Sequence, residues 1–374
     1  MRDVDVAIVG AGVVGLACAQ ALASRATVAV LERRPAFGLE NSSHNSGVIH
    51  AGIYYPTGSL KHRLCIEGNR LLYAWCAAHG VRTRRCGKLI IAVDETERAA
   101  LRTLHAQASA NGVPDLEMIE DSARLRELEP AVRCVAALWS GTTGVVDAAG
   151  LMASLAAAAQ ARHAIIATRH AVTAIARTAD GFALSIVDAD GVDSVLRCGA
   201  LVNSAGLNAP AVAAMLGYPL DGKGGIPVLR QRVNKGRYYD IVNPALARSL
   251  RHLVYPVPEH ARGGLGVHVT LDIDGGAHLG PDTEWLDEGA PLDFRSDDAR
   301  RTEFVAAARR YLPALRPEDL APGQVGYRPK LQTPGREQAD FLIWQDRGYV
   351  HLGGIESPGL TAALAIGRYV ADVL

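Results

Sequence analysis

The N-terminal part of the chain shows two different hydrophobic periods in succession. Residues 4–9 form a run of mainly β-branched side chains, residues 13–24 carry apolar side chains at helical spacing, and residues 27–31 form a second β-rich run. A period of about 2 indicates a strand, and a period of about 3.6 indicates a helix. The pattern predicts a strand, a helix and a second strand that pack as one unit.

Similar elements are predicted further along the chain. Residues 201–206 are typical of a buried strand that ends on small residues, and residues 209–216 continue as a helix. Residues 349–352 predict a short strand. A glycine-rich loop follows it, and a final helix is predicted to continue to residue 374.

A hairpin and an exposed helix are predicted in the middle of the chain. Residues 171–176 and 182–187 alternate between apolar and polar side chains on either side of Asp180 and Gly181. An Asp-Gly pair between such runs favours a tight β-turn. The Ala-rich, charged pattern of residues 95–110 suits a helix that faces solvent.

Three strand-like runs occupy the second half of the chain, at residues 225–229, 253–257 and 265–269. Turn-rich loops separate them. We expect these runs to form a sheet that covers one side of a binding pocket.

Charge and composition restrict the class of protein. The 374 residues carry 39 basic and 39 acidic side chains, and 49% are hydrophobic. This balance excludes a disordered tail and argues against a nucleic-acid platform, which needs a basic excess. The length suggests roughly two domains. The basic cluster of Arg82, Arg84, Arg85 and Lys88 is interpreted as a solvated surface.

The cysteines are interpreted as reduced thiols, which favours a cytoplasmic protein. Because neither a Cys-x-x-Cys pair nor a tight His/Cys cluster occurs, no zinc site and no disulfide framework are predicted. The apolar run at residues 6–19 is too short and too rich in glycine for a membrane span, and Asp3 and Asp5 are the wrong flank for a secretory signal. No transmembrane segment is predicted. The cysteines are Cys18, Cys65, Cys76, Cys86, Cys134 and Cys198.

Glycines at the first predicted bend carry the clearest chemical signal. Gly10, Gly12 and Gly15 follow the order Gly-x-Gly-x-x-Gly, and Glu32 closes the second strand 17 residues after Gly15. Gly10 permits a tight turn, Gly12 lets backbone amides approach a pyrophosphate, and Gly15 lets the helix lie close to the sheet. Glu32 can accept hydrogen bonds from both ribose hydroxyls. Together these residues predict a dinucleotide site.

The identity of the dinucleotide needs further evidence. Glu32 disfavours a 2′-phosphate, but Arg33 and Arg34 directly after it could bind one, so NADP stays an alternative. The final helix favours a flavin, because a helix N-terminus aimed at the flavin ring would stabilise its anionic reduced form. A nicotinamide enzyme has no comparable need.

At this point the chain resembles a known family, the FAD-dependent oxidoreductases of the D-amino-acid oxidase and glycine oxidase superfamily. Within it, the chain is most similar to the L-2-hydroxyglutarate oxidase and dehydrogenase branch. The segment that carries this similarity reads Asn-Ser-Ser-His-Asn-Ser-Gly-Val-Ile-His-Ala-Gly-Ile-Tyr-Tyr at 41–55. Further similar segments are 58–61, 65–72, 86–89, 253–258, 266–270 and 280–281.

The resemblance implies an α/β fold of the glycine oxidase type. A Rossmann-like FAD-binding domain would be interleaved with an α+β substrate domain built on a mixed sheet. The FAD-binding domain would comprise residues 1–85, 145–217 and 335–374. The substrate-binding domain would comprise residues 86–144 and 218–334.

The glycine motif and the resemblance together imply a series of FAD contacts. In such enzymes the Ser-Ser-x-Asn-Ser-Gly segment lies along the flavin pyrophosphate and ring. The run at 171–176 would supply backbone contacts near the adenine. No metal ligand is predicted. The predicted cofactor-binding residues are Gly10, Gly12, Val13, Val14, Gly15, Glu32, Arg33, Ser42, Ser43, Asn45, Ser46, Gly47, Val172, Ala205, Gly206, Gly354, Ile355, Ser357, Pro358, Gly359, Leu360 and Thr361.

The implied activity is oxidation of a small L-2-hydroxy acid to the 2-oxo acid by hydride transfer to flavin N5, with L-2-hydroxyglutarate as the candidate substrate. Such a reaction needs a cation for the substrate carboxylate and a base for the hydroxyl proton. Residues 326–329 resemble the Gly-x-Arg-Pro motif whose arginine clamps the carboxylate in glycine oxidase. Arg328 is therefore predicted as the clamp. A surface or interdomain ion pair is the alternative.

Two histidines are the candidate bases, because an imidazole titrates near neutrality. His268, expected on a strand that covers the pocket, is favoured as the base. His50 is favoured as a flavin-side or substrate contact. Either can instead be an ordinary core or surface histidine. Further substrate contacts are predicted for Tyr54, Tyr239, Tyr255 and Lys61, with half-buried packing or, for the lysine, a solvated helix start as the alternative.

Two segments depart from the pattern of the branch. Residues 234–239 read Asn-Lys-Gly-Arg-Tyr-Tyr where the branch often has Phe-Arg-Gly-Glu-Tyr-Tyr, and residues 355–358 read Ile-Glu-Ser-Pro in place of Ala-Pro-Ser-Pro. The cations Lys235, Arg237 and Lys330 suit a substrate with a second carboxylate, unless they are simply exposed.

Two other functions stay open at this point. A flavin amine or amino-acid oxidase of the glycine oxidase type would use the same clamp and release ammonia. A non-catalytic FAD-binding redox module would keep the fold without turnover. The electron acceptor is oxygen, a quinone or an electron-transfer protein, and a quinone would favour peripheral contact with a membrane.

Overall fold

Two large sheets organise the chain in the computed structural model, which describes residues 2–258 and 266–374. A three-stranded sheet and a two-stranded hairpin accompany them. The helices are α1 (Val13–Leu22), α2 (Leu60–His79), α3 (Arg98–Ala110), α4 (Ser122–Leu128), α5 (Ala148–Gln160), α6 (Ala209–Met215), α7 (Pro244–Ser249), α8 (Arg301–Ala308) and α9 (Gly359–Val373).

The strands are numbered along the chain and grouped here by sheet. The first sheet contains β1 (Val4–Val9), β2 (Val28–Glu32), β9 (Ile165–Thr168), β10 (Ala171–Thr178), β11 (Gly181–Val187), β12 (Asp193–Asn203), β21 (Leu342–Asp346) and β22 (Tyr349–Gly353). The second contains β5 (Lys88–Ala92), β6 (Leu116–Ile119), β7 (Ala136–Ser140), β15 (Arg232–Ile241), β16 (Leu253–Pro256), β17 (Val269–Leu271), β18 (Ala277–Leu279), β19 (Glu284–Trp285) and β20 (Leu320–Lys330). The small sheet contains β3 (Val48–Ile49), β4 (Thr83–Arg84) and β8 (Gly144–Val146), and the hairpin contains β13 (Asp221–Lys223) and β14 (Ile226–Val228).

The predicted N-terminal unit is confirmed. β1 pairs in parallel with β12 on one side and with β2 on the other, so that Val6 lies opposite both Ala200 and Val28. The predicted strand at 201–206 is the buried end of β12, and β22 pairs with it in parallel. Parallel strands place their carboxyl ends at one edge, where ligands of such sheets bind.

The predicted hairpin is formed by β10 and β11. Thr178 pairs with Gly181, so residues 179 and 180 make the turn and Gly181 opens the second strand. Gly181 has φ 139°, and a side chain there would meet the carbonyl of Cys198 on β12. A glycine is therefore needed at this position.

The second sheet is mixed. β5 pairs in parallel with β16 and in antiparallel with β7. β15 and β20 form a long antiparallel pair in which Asn234 lies opposite Arg328 and Gly236 opposite Gly326. The predicted run at 253–257 corresponds to β16.

Two expectations about the covering sheet are wrong. Residues 225–229 do not join it, because they pair only within the hairpin of β13 and β14. The predicted run at 265–269 begins outside the described residues, and β17 begins at Val269. His268 therefore precedes the strand and does not lie on it.

The predicted fold class is confirmed: a parallel α/β sheet of Rossmann type is combined with a mixed second sheet. The chain enters the second sheet twice, through strands between residues 88 and 140 and between residues 232 and 330. The residue boundaries of the two domains stay a prediction.

Helix α9 packs tightly against α1 and α2. Leu16 of α1 and Ile366 of α9 are fully buried in the main core. Gly367 of α9 lies so close to α1 that a Cβ atom there would be 2.5 Å from the carbonyl oxygen of Ala17. At Gly367 the two helices therefore approach each other closely enough for backbone contact.

We expect Gly367→Ala to lower the free energy of unfolding by about 1–3 kcal/mol, because the added methyl group would meet backbone atoms of α1. Arg368→Ala is the matched control, since this side chain is exposed on the same helix; its effect should stay within about 0.5 kcal/mol. Denaturant unfolding of both variants measures the difference. Equal midpoints would contradict the close contact between α1 and α9.

Candidate active site

A large cavity lies between the carboxyl ends of β1, β2 and β12 and the facing strands β15, β16 and β20. Its volume is about 1480 Å³. Most pockets for small ligands measure about 300–1,000 Å³. The cavity can therefore hold a dinucleotide together with a small substrate.

The N-terminus of α1 borders the cavity, and its N-cap residue, Gly12, has no capping side chain. Gly10 has φ 100°, and a Cβ atom there would be 2.8 Å from the carbonyl oxygen of Ser204. The amide of Val13 donates to Ser42 Oγ at 3.0 Å. A helix N-terminus binds anions. This end of the cavity fits a pyrophosphate.

Glu32 stands at the end of β2 where a ribose would lie. Its Oε2 accepts from the amide of Ala11 at 2.9 Å, and its Oε1 accepts from the amide of Arg34 at 2.8 Å. The side chains of Arg33 and Arg34 pair with Glu40 at 2.6 and 2.9 Å. Each guanidinium therefore pairs with a carboxylate, and the carboxylate of Glu32 at this position disfavours a 2′-phosphate.

Most of the predicted cofactor residues line the cavity. They are Gly10, Gly12, Val13, Val14, Glu32, Arg33, Ser42, Asn45, Ser46, Val172, Ala205, Gly206, Ile355, Ser357, Pro358, Gly359 and Leu360. Asn41 Oδ1 is also buried there, without a partner among the described residues. It is an acceptor available to a ligand.

Five predicted cofactor residues do not line the cavity, so their contact with the cofactor stays a prediction. A Cβ atom on Gly15 would be 2.6 Å from Ser204 Oγ, so this glycine serves helix packing, as its position in the motif predicts. Thr361 is fully buried and holds the backbone of His50. The five residues are Gly15, Ser43, Gly47, Gly354 and Thr361.

The backbone of His50 is fixed by two helices. Its amide donates to Thr361 Oγ1 at 3.0 Å, and its carbonyl accepts from Asn69 Nδ2 at 2.9 Å. Its Nε2 lies 3.2 Å from Ser357 Oγ, whereas Nδ1 is buried without a partner among the described residues. Burial is the main reason that the pKa of His50 is lowered to about 3. The ring is therefore neutral at physiological pH.

His268 is held as a neutral imidazole of one tautomer. Its Nδ1 lies 2.8 Å from the carbonyl of Gly266, which can only accept, so Nδ1 carries the proton. Nε2 has no hydrogen-bond partner in the described part of the chain. The ring stacks on Tyr255 with centroids 3.8 Å apart. Burial outweighs the bond to Gly266 and, with the charges of Lys88 and Arg328, lowers the pKa of His268 to about 3.

Arg328 is fixed with one edge of its guanidinium left over. Nη1 donates to Asn234 Oδ1 at 2.5 Å, and both Nη1 and Nη2 donate to the carbonyl of Asp282 at 3.1 Å. A guanidinium has five N–H donors. No described residue accepts from the other two, on Nε and Nη2, which are parallel and match a carboxylate.

Glycines on two paired strands permit close contacts in the wall of the cavity. A Cβ atom on Gly236 would be 2.7 Å from Arg328 Nη2, and one on Gly326 would be 2.5 Å from the carbonyl oxygen of His44. The guanidinium thus lies against the backbone of β15.

The tyrosine predictions are partly wrong. Tyr54 and Tyr255 line the cavity, and Tyr54 Oη is buried without a partner in the described residues. Tyr239 is instead fully buried in the second core, where its hydroxyl donates to the carbonyl of Asp297 at 3.3 Å. Neighbouring side chains of a strand point to opposite faces. Tyr238 therefore lines the cavity in its place.

Lys61 is part of a buried ion triad. Its Nζ lies 3.0 Å from Glu356 Oε1, and Lys330 Nζ lies 2.6 Å from Glu356 Oε2. All three side chains line the cavity. Burial alone would raise the pKa of Glu356, but the two ammonium groups hold it below its ordinary value. Lys61 lies at the start of α2, as predicted, but it is not solvated.

The other predicted cations differ in their surroundings. Arg237 does not line the cavity, because it pairs with Asp282 at 3.2 Å and with Glu284. Lys235 does not line it either. Lys88, interpreted above as part of a solvated cluster, is only 1% exposed. That interpretation is wrong for Lys88.

Sequence reasoning missed two residues that line the cavity, Tyr238 and Glu356, and the buried Lys88 next to Tyr54 and Tyr255. Tyr238 and Tyr239 are adjacent on one strand, and the sequence does not show which of the two side chains faces the cavity. Glu356 was visible as a departure from the branch pattern. Lys88 is the first residue of a strand whose other residues are all apolar. This pattern indicates a buried strand, but the charge of the lysine favoured the interpretation as an exposed residue.

The fold and the cavity define the class of this protein, an oxidoreductase that binds a dinucleotide in a Rossmann-type domain. The family model described as DAO, FAD dependent oxidoreductase, matches residues 5–373. The chain belongs to this family of FAD-dependent oxidoreductases, and FAD is its cofactor. Glu32, the N-terminus of α1 and the unpartnered Asn41 Oδ1 are the groups that would hold it.

Curated relatives extend over nearly the whole chain. The mitochondrial L-2-hydroxyglutarate dehydrogenase of Arabidopsis thaliana is 37% identical over 99% of this chain and 83% of its own length. The mitochondrial human protein of that name is 31% identical over 98% of this chain and 88% of its own length.

Solved structures show the same architecture. The L-alpha-glycerophosphate oxidase of Mycoplasma pneumoniae with FAD bound has a TM-score of 0.86 and 28% identity, covering 100% of this chain and 95% of that chain. The glycine oxidase of Geobacillus kaustophilus has a TM-score of 0.79 at 22% identity, covering 100% of this chain and 94% of that chain. The second likeness concerns the fold alone.

Two further observations concern the described residues only. None of their helices combines the length and the apolar character that a membrane span requires. Their His, Cys, Asp and Glu side chains form no group suited to a metal ion.

We expect Gly12→Val to reduce FAD affinity by at least about tenfold, because the added side chain would meet Ser42 Oγ, which lines the cavity at the N-terminus of α1. The ratio of flavin absorbance to protein in the purified variant measures this loss. Gly191→Asn is the matched control, since nothing lies within 4 Å of a Cβ atom there and asparagine tolerates positive φ. Full flavin content in Gly12→Val would argue against a pyrophosphate at this helix.

Proposed function

We propose that this protein oxidises L-2-hydroxyglutarate to the 2-oxo acid with FAD. The observation that carries the proposal is the fixed guanidinium of Arg328, whose free two-donor edge shares the cavity with the unprotonated Nε2 of His268. The names of the plant and human relatives support this substrate.

Arg328 binds the carboxylate next to the reacting carbon through Nε–H and Nη2–H. Because Asn234 and Asp282 already hold the other donors, the arginine does not reorganise when the substrate enters. The substrate hydroxyl is thereby placed at a defined distance from the histidines. FAD, when bound, accepts the electron pair from the oxidised carbon.

His268 is the proposed base. Its Nε2 accepts the hydroxyl proton, and the carbonyl of Gly266 holds the ring through Nδ1–H. His50 and Tyr54 each present a buried polar atom that has no partner among the described residues, and they orient the hydroxyl and the cofactor edge. Burial of these groups excludes water, which strengthens every hydrogen bond to the substrate.

The cellular compartment of the protein and its electron acceptor are also part of this proposal. A cytoplasmic location stays a prediction, and the plant and human relatives are described as mitochondrial. Mixing the substrate-reduced protein with oxygen, a soluble quinone or an electron-transfer protein identifies the acceptor by which one restores the oxidised flavin spectrum.

The proposal is tested by anaerobic titration of the purified protein with L-2-hydroxyglutarate, following the visible flavin spectrum. Bleaching is expected for the wild type. We expect Arg328→Ala to slow this reduction by at least about a hundredfold at unchanged FAD content, because a desolvated charge pair is worth several kcal/mol. Arg295→Ala, which removes a side chain 89% exposed, is the control. Unchanged kinetics in Arg328→Ala would remove this arginine from the site. Ammonia release from an amino acid would instead indicate an amine oxidase.

We expect His268→Gln to slow reduction by about 10²–10⁴-fold, the usual contribution of a general base. The pKa of free His268 is about 3. The wild-type kcat/KM should therefore not fall between pH 7 and pH 5, whereas a base of ordinary pKa, about 6.5, would be protonated there. Stopped-flow reduction across this range measures the profile. A larger loss in His50→Gln than in His268→Gln would reverse the two roles.

A further inference from the structure

Asn234 of β15 faces the cavity beside Arg328. Along this strand Asn234, Gly236 and Tyr238 line the cavity, whereas the two residues between them do not. The alternation follows from the pleat of the strand, which points successive side chains to opposite faces of the sheet. Asn234 also pairs with Arg328 across the two strands. The two side chains therefore lie next to each other on the face of the sheet that borders the cavity.

The contact with Arg328 fixes the orientation of the Asn234 amide. Its Oδ1 lies 2.5 Å from Arg328 Nη1. Because a guanidinium has donors and no acceptor, the amide must turn its oxygen towards the arginine. The nitrogen, Nδ2, is therefore at the other end of the amide and keeps both of its N–H donors for another partner.

Nδ2 of Asn234 is a buried donor to which the described part of the chain supplies no acceptor. The residue is 1% exposed, and Nδ2 forms no hydrogen bond within residues 2–258 and 266–374. Most buried polar groups in proteins have a partner, and a buried donor without one destabilises the protein. An acceptor oxygen of a ligand in the cavity would satisfy this donor.

The surroundings of Asn234 favour an anionic acceptor. Arg328 next to it offers the two parallel donors on Nε and Nη2, which match a carboxylate. Asn234 and Arg328 thus present N–H donors side by side to one ligand. Residue 234 is also a position at which the chain departs from the branch pattern, which often has Phe there. Because phenylalanine has no N–H donor, this contact would be particular to chains with a polar residue at this position.

We propose that Asn234 is a substrate-binding residue, whose Nδ2–H donates to an oxygen of the carboxylate that Arg328 binds. The proposal rests on the proposed function, in which Arg328 binds the carboxylate next to the reacting carbon. Asn234 then has two roles: its Oδ1 holds the guanidinium, and its Nδ2 binds the same ligand group as that guanidinium. The site selects a carboxylate at this position, because an alkyl group there would leave Nδ2 without an acceptor.

A crystal structure of the FAD-bound protein with glutarate tests the contact directly. Glutarate has the two carboxylates of the proposed substrate without the reacting hydroxyl, so the flavin stays oxidised. We expect a carboxylate oxygen within about 3.2 Å of Asn234 Nδ2 and a hydrogen bond from Arg328 to the same carboxylate. Glutarate bound without any oxygen within about 3.5 Å of Nδ2 would overturn the proposal.

Binding measurements show how much the contact contributes. The dissociation constant of glutarate is read from the perturbed flavin spectrum of the oxidised protein. Asn234→Leu should weaken binding at least about tenfold at unchanged FAD content, because a hydrogen bond to a charged group is lost. Gln160→Leu is the matched control, since it replaces an exposed side-chain amide at the end of α5 by the same side chain. Its dissociation constant should stay within about twofold of the wild-type value.

Asn234→Asp separates the two ends of the amide. It keeps the shape of the side chain and an oxygen for Arg328, so it stays informative if Asn234→Leu does not fold. A carboxylate oxygen replaces the N–H donors in this variant and should repel the ligand, so binding should be weaker than in Asn234→Leu. Wild-type affinity in Asn234→Asp would show that only the oxygen of Asn234 matters, and it would overturn the proposal. Wild-type affinity in Asn234→Leu would overturn it as well.

The proposed function and the assignment of Asn234 fail in different ways. If L-2-hydroxyglutarate bleaches the flavin but Asn234→Leu binds glutarate as tightly as the wild type, the assignment is wrong and the proposed function stands. If the contact and the loss of affinity are found but L-2-hydroxyglutarate does not reduce the flavin, the proposed substrate is wrong and the assignment stands. A wild-type protein that binds no glutarate overturns the assignment.

Discussion

Burial of charge between the two sheets is the constraint on which this active site depends. A carboxylate in the interior is strongly destabilised unless cations pair with it. Glu356 satisfies this requirement with Lys61 from the start of α2 and Lys330 from the end of β20. The triad thereby joins the loop before α9 to both sides of the cavity. Without either lysine, the negative charge of the buried Glu356 would be only partly neutralised. The ion pairs therefore hold α2, β20 and the loop before α9 in fixed relative positions.

The same burial sets the protonation of the chemical groups. His50 and His268 are both neutral, because an imidazolium would lose its hydration there. Burial lowers the pKa of Lys88 for the same reason. The cavity thus contains neutral imidazoles near the guanidinium of Arg328. A substrate carboxylate would pair with this guanidinium away from bulk water, so desolvation becomes part of substrate recognition.

Strand pairing explains how one fold can accept different substrates. The FAD side is built from the glycine turn and two helix N-termini, features that depend on backbone geometry. The substrate side depends on the individual side chains of β15, β16 and β20. Arg328 is held by its cross-strand partner Asn234, so its position follows from register. The glycine oxidase and glycerophosphate oxidase structures share the fold. Function therefore has to be argued from the side chains of the second sheet.

The sequence by itself determined the fold class, the dinucleotide turn and the arginine and histidine candidates, because these depend on local period, glycine spacing and short motifs. Only the tertiary structure decided that Tyr238 and not Tyr239 lines the cavity, since strand parity cannot be read from two adjacent tyrosines. It also decided the pairing of Lys61 with Glu356, which lie 295 residues apart. The burial of Lys88 has the same origin: solvent exposure is a property of packed sheets and helices, and the charge of a residue does not determine it.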